Sequence, residues 1–194
     1  MKKLKHSLVL TFALTAGAIA HAQTAPDTND HWYGEVGYLS ARHTTSGGGN
    51  FSPKGLRLTV GKELGAGLAI EGFVVPGTGT DTGNVTVSGT NYTYEGKLKS
   101  VYGVYVKPRM KVAEGWEVFG RLGYAGVSRD VLMVNSASAS DRARVSDSGS
   151  DVSYGLGTSI KLTESLSVTL DYMSFYNKDS IKINGYTVGL GYRF

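Results

Sequence analysis

The chain has 194 residues, with 27 glycines, 12 tyrosines, no cysteine and a formal net charge of +4. Without cysteine it can have no disulfide, thiolate metal site or cysteine nucleophile, and four prolines are too few for a disordered glycine-rich segment. Lys2, Lys3 and Lys5 carry most of the charge excess, so the basic balance belongs to the leader and gives no argument for a nucleic-acid partner.

At the N-terminus, Lys2, Lys3, Lys5 and His6 form a basic region, Leu8 to Ala20 an apolar one, and Ala20-His21-Ala22 a small-x-small cleavage site. This pattern predicts a signal peptide over 1–22, because the apolar run is shorter than the roughly 20 residues that a spanning helix needs. The mature chain then begins at Gln23 and keeps about 172 residues with a net charge of about +1, enough for one domain. Residues 23–30 read as a short polar periplasmic lead-in, and 31–194 as the domain.

From His31 onward, apolar and small or polar residues alternate, which is the period of a strand with one greasy face. Strands are expected at 31–42, 54–62, 68–74, 96–107, 116–125, 152–161 and 166–173, with a last one ending at Phe194. Turns are expected at 62–67, 108–115 and 163–165, and loops at 43–53, 76–95, 128–150 and 177–180. Within 76–95, Val85-Thr86-Val87 and Tyr92-Thr93-Tyr94 flank Ser88-Gly89-Thr90-Asn91 and read as a hairpin that projects beyond the membrane. Eight strands with alternating short and long connections predict an all-β, eight-stranded antiparallel up-and-down transmembrane β-barrel, both termini periplasmic.

A soluble lipocalin-like barrel would also alternate, with its apolar faces inward. Three features favour lipid outside. The faces opposite the apolar ones are rich in glycine, serine, alanine and threonine, which suits a narrow lumen. Aromatics stand near strand ends, with Trp32, Trp116, Tyr172 and Tyr176 as the expected girdle and Tyr192 and Phe194 beside them. The chain also finishes on Tyr186, Val188, Leu190, Tyr192 and Phe194, all pointing one way.

That ending, with Tyr192 two places before a terminal Phe194, resembles the signal by which outer-membrane barrels are recognised by their assembly machinery. Phe119-Gly120-Arg121-Leu122-Gly123-Tyr124 and Ser153-Tyr154-Gly155-Leu156-Gly157 are similar to strands of the small eight-stranded outer-membrane proteins, the group of OmpX and the transmembrane part of OmpA. The resemblance covers essentially all of the mature chain. It implies the cell outer membrane as location, outer-membrane lipids and lipopolysaccharide as surroundings, and the assembly machinery and periplasmic chaperones as partners in biogenesis. The peptidoglycan-binding domain of OmpA-type proteins is not expected.

With lipid outside, Glu35, Arg57, Glu71, Lys99, Lys107, Glu117, Arg121, Lys161, Asp171 and Arg193 point inward. Unpaired charges there would be costly, so cross-strand ion pairs are expected to plug the lumen; a narrow ion path or a route for hydrophobic compounds is the alternative. No catalytic, cofactor or metal site is expected. His31 and His43 are the sole histidines past the signal, and His43 with Ser40 or Ser46 is the one arrangement left for a lipid-modifying enzyme. Function is therefore expected in a structural and surface role, with any host or surface ligand bound by the polar loops.

Overall fold

In the computed structural model the described residues are 31–45 and 50–194. The expected signal peptide and lead-in, 1–30, and the triglycine at 47–49 lie outside them. Nine strands follow: β1 (Trp32–Thr45), β2 (Lys54–Gly65), β3 (Leu68–Val75), β4 (Asp81–Val87), β5 (Thr90–Ala113), β6 (Trp116–Asn135), β7 (Ser138–Lys161), β8 (Leu166–Lys178) and β9 (Ile181–Arg193). Each ring strand pairs antiparallel with its neighbours, β1 with β9, and a β3–β5 pairing closes the ring. β4 pairs with β5 alone, so eight strands make the barrel and the ninth hangs on its rim as the expected hairpin. Closure leaves no unpaired edge at membrane depth, which is what a sheet in lipid requires.

Side-chain alternation settles which face meets lipid. Val36, Tyr38, Leu58, Val60, Val104, Leu122, Leu156, Leu170, Val188 and Leu190 are all exposed and point out of the ring, so the soluble arrangement with apolar residues inside is not what forms. On β9 the belt runs from Tyr186 to Phe194, nine residues or about 27 Å along the strand, which tilting shortens to slightly over 20 Å. Trp32, Trp116, Tyr192 and Phe194 ring it at the end of the chain termini, while Tyr38, Tyr102, Tyr124, Tyr154, Tyr172 and Tyr186 ring it at the other. Tyr172 and Tyr186 lie against each other with centroids 4.6 Å apart.

Inside, glycines make room for large neighbours. A Cβ at Gly157 would come within 2.4 Å of the Phe119 ring, and one at Gly61 within 2.2 Å of Tyr33. Each of these inward glycines is the register partner of the ring it accommodates, so the ring lies flat over the neighbouring strand.

Four expectations need correction. Residues 128–150 are not a loop: β6 and β7 continue as a paired ribbon, in register from Ser128↔Ser148 to Val134↔Arg142. Both faces of this ribbon lie beyond the lipid, so nothing imposes an apolar side, and no alternation marks it as a strand. Residues 108–115 are not a turn either, since β5 runs to Ala113 with Met110 and Val112 pointing outward. Lys99 is exposed rather than in the lumen, because a bulge between Leu98 and Ser100 shifts the alternation and turns Leu98 inward instead. Tyr176, expected in the girdle, is 7% exposed and buried in the barrel, because an irregularity between Ser174 and Tyr176 likewise reverses the phase.

The connections divide cleanly between the two ends. At the end of the chain termini, β2–β3, β5–β6 and β7–β8 are joined by short turns, with φ positive at Ala66, Gly67 and Gly115. The opposite end carries 50–53, 76–80 with the β4–β5 hairpin, the β6–β7 ribbon and a two-residue turn at Asp179-Ser180. Both residues of that turn, like Ser88-Gly89, have positive φ, as the tight turns matched to strand twist require.

Candidate functional site

Three layers fill the lumen. The middle layer is ionic. Glu35 on β1, Glu71 on β3 and Asp171 on β8 face Arg57 on β2, Lys107 on β5 and Arg121 on β6, all of them buried. Arg57 donates to both oxygens of Asp171, at 2.9 Å to Oδ1, and at 2.8 Å to Glu35 Oε1. Arg121 spans the lumen, donating from Nε to Glu71, from Nη1 to Asp171 Oδ2 at 2.6 Å and from Nη2 to Glu35 Oε2 at 3.4 Å. Lys107 Nζ donates to Glu71 Oε1 at 2.8 Å, as the Tyr33 hydroxyl does at 2.6 Å. Three carboxylates thus meet three cations, and the layer is neutral. The cations also lie over rings, Lys107 at 4.3 Å and Arg121 at 4.7 Å from the Phe119 centroid.

The second layer, at the end of the chain termini, is ionic and wetter. Glu63 Oε1 accepts from Arg109 at 2.5 Å and from Arg193 at 2.8 Å. Glu117 lies 3.9 Å from both Arg109 and Lys161. These residues line a cavity of about 60 Å³, room for a few waters and closed above by the middle layer. Of the charges expected inside, Glu35, Arg57, Glu71, Lys107, Arg121 and Asp171 lie in the middle layer, Glu117, Lys161 and Arg193 nearer the mouth, and Lys99 in neither. Sequence reasoning missed Glu63 and Arg109 because both fell in segments read as turns, and Tyr33 because its ring masks a polar end. Their odd positions on uninterrupted strands were the available signal.

Toward the loops the lumen is apolar. Leu39, Phe73, Val75, Leu98, Val101, Tyr105, Met173, Phe175 and Ile183 form a continuous buried cluster above the charges. A polar tie runs through Tyr105, whose hydroxyl lies 2.8 Å from Ser153 Oγ, itself donating to the Ser174 carbonyl at 2.7 Å. His43 crowns this cluster, buried and stacked on Phe51, while Ser40 lies on the outward side of the same strand, so the two do not meet. Ser46 lies outside the described residues. Among the described residues no group of three His, Cys, Asp or Glu side chains has the arrangement of a metal site.

Charged groups on the inner face of the ring with apolar residues on its outer face are what a small outer-membrane barrel needs, and comparison with known proteins agrees. The family model described as outer membrane protein beta-barrel domain matches residues 10–194. Among solved structures, Ail, the attachment invasion locus protein of Yersinia pestis, is similar with a TM-score of 0.59 and 19% identity over 85% of this chain and 99% of Ail. A second Ail structure holds the heparin analogue sucrose octasulfate. Neisserial surface protein A is similar with a TM-score of 0.57 and 12% identity over 88% of this chain and all of its own. OprG of Pseudomonas aeruginosa follows the same fold, with a TM-score of 0.53 and 11% identity over 85% of this chain and 96% of OprG. No curated protein matches. The chain belongs to the outer membrane protein beta-barrel domain family and is an integral β-barrel of the outer membrane.

Proposed function

We propose that this protein is a non-catalytic, sealed barrel with a structural and surface-interaction role, its termini in the periplasm and its long connections at the cell surface. One observation carries this reading: buried ionic and apolar layers close the lumen above the small cavity at the end of the chain termini, whereas β4 and the outer parts of β5, β6 and β7 continue past the ring as a four-stranded sheet. What the barrel offers a partner is thus that sheet, with the segments 50–53 and 76–80 beside it. Replacing residues 130–146 by Asn-Gly would join Arg129 to Asp147, which are register partners, through a two-residue turn. The shortened protein is expected to insert and to run on gels like the native barrel, while adhesion or serum survival of cells that carry it falls. No change in either would leave envelope structure as the whole role.

Lipopolysaccharide is the partner that the outer face best suits. Arg42, Lys54 and Lys182 point outward on the adjacent strands β1, β2 and β9, immediately beyond Tyr38, Leu56 and Tyr186 at the rim of the belt. None of the three has an ion pair with a described residue, and all lie where phosphates of lipid A would meet the barrel. Ail, the similar fold, holds a polysulfated sugar in its second structure, and the same chemistry would suit these cations.

The ending serves assembly in this reading. Tyr186, Val188, Leu190, Tyr192 and Phe194 stand exposed in a row on β9, available to machinery that reads an outward apolar strand, and Phe194 N donates to the Trp32 carbonyl at 3.0 Å where β9 meets β1. Phe194→Ser, or added residues after Phe194, should reduce the heat-modifiable, membrane-inserted fraction at least several-fold in cells. Normal assembly of both variants would refute an assembly role for this position.

A further inference from the structure

The loop-side mouth is covered by the segment 50–53, and the cover rests on a histidine. Phe51 is buried against Gly96 of β5, where a Cβ would come within 2.7 Å of its ring, and stacks on His43 with centroids 4.3 Å apart and planes at 19°. Around this stack the segment is held by polar bonds. His43 N donates to Phe51 O at 2.8 Å, Phe51 N to His43 O at 3.2 Å and Ala41 N to Pro53 O at 2.9 Å. The Tyr94 hydroxyl donates to Asn50 O at 2.5 Å, and Ser52 N donates to Asp81 Oδ2 at 2.5 Å. His43 itself is 4% exposed, and neither ring nitrogen has a hydrogen-bond partner among the described residues.

A buried imidazole with no acceptor is tolerable when neutral and costly when charged. The groups that surround it do not relieve the cost. Arg129 faces it from β6 and adds like charge, though Asp147 of β7 pairs with Arg129. Tyr94 of β5 and Asp81 of β4 are bound to the segment rather than to the ring, Ile183 is its apolar register partner on β9, and Tyr176 of β8 is turned toward Gly149. We infer that the His43–Phe51 stack is an acid-released latch that holds the segment 50–53 as a lid over the loop-side mouth. Release would uncover the apolar layer of Leu39, Phe73, Leu98 and Ile183 to the exterior while leaving the ionic layers beneath it closed.

His43 stands on β1 beyond the lipid-facing belt, which ends at Tyr38. Burial first, and Arg129 second, lower its pKa from the ordinary 6.5 to about 4. The closed lid therefore has its full stability above about pH 6.5 and loses it as pH falls toward about 4. In the full mature chain folded in nanodiscs, opening read as intrinsic-rate-corrected hydrogen exchange at the amides of Ala41, His43 and Phe51 should rise about 25-fold between about pH 7.5 and about pH 5. Amides of the lipid-facing parts of β2 and β9 should not change. His43→Phe keeps a stacking ring without a titrating group, and should hold these amides protected at both pH values. Acid release that persists in His43→Phe would place the switch outside this ring and overturn the latch, as would native amides that stay protected. Should that variant not fold, NMR titration of the native ring decides: a midpoint well below 6.5 that coincides with loss of protection supports the latch, and titration near 6.5 with the amides still protected refutes it.

Discussion

Arg121→Ala should lower the unfolding free energy of the barrel by about 3–5 kcal/mol. Among the described residues Arg121 is the one side chain that donates to all three carboxylates of the middle layer, Glu35, Glu71 and Asp171. Its loss leaves three buried carboxylates with Arg57 and Lys107 alone, in a place closed to water from the loop side. Such an uncompensated charge is far more costly than the ion pair was worth when made. Arg121→Lys keeps the charge but not the fork that reaches three acceptors, and should fall between the two. Urea unfolding followed by tryptophan fluorescence, or by the gel mobility of the folded form, measures the series. A loss below about 1 kcal/mol for Arg121→Ala would mean that water already relieves the lumen charges. The apolar layer of Leu39, Val101 and Phe175 is a second seal in series, so the variant should be weaker without conducting. Large, steady conductance of the native protein in planar bilayers would count against the sealed lumen altogether.

Leu156→Arg should cost the folded barrel about 2–4 kcal/mol in a bilayer. Leu156 is 74% exposed and stands on β7 in the middle of the belt, between Gly120 of β6 and Tyr172 of β8. In water such a position would accept arginine at no cost, so the effect belongs to the lipid. Val145, also exposed and on the same strand, supplies the comparison because it lies on the ribbon beyond the belt. Val145→Arg should stay within about 0.5 kcal/mol of the native protein. Equal effects at the two positions, measured by urea unfolding in lipid vesicles, would show that the belt does not end where its aromatic ring is.

The two positions also show where the sequence could be read and where it could not. Around Leu156 one face meets lipid and the other a crowded lumen, so the chain is forced into strict alternation, and both strand and facing are visible in Tyr154, Leu156 and Gly155, Gly157. Around Val145 both faces meet water, the constraint vanishes, and a ribbon of paired strands looks like a polar loop. Lys99 and Tyr176 failed for a different reason. An alternation counted along the chain holds until one extra residue enters a strand, and the bulges at Leu98/Ser100 and Ser174/Tyr176 each reverse every facing beyond them. Glu63 and Arg109 were hidden by turns drawn too long, since tight turns with positive φ need few residues.

The sequence by itself determined the membrane class, the number of ring strands and the inward facing of charges on unbroken strands such as Arg57, Glu71 and Arg121, because each follows from a period of two over segments long enough to cross lipid. Tertiary structure alone decided which of those charges meet. Arg57 reaches Asp171 across 114 positions of chain, and Arg121 reaches Glu35 across 86. These pairings depend on the β3–β5 closure and on the stagger between strands around the ring, and no local pattern carries either. The same holds for His43 and Phe51: in sequence they are a histidine and a phenylalanine eight positions apart, and only the pairing of 51–53 with β1 makes of them a buried stack.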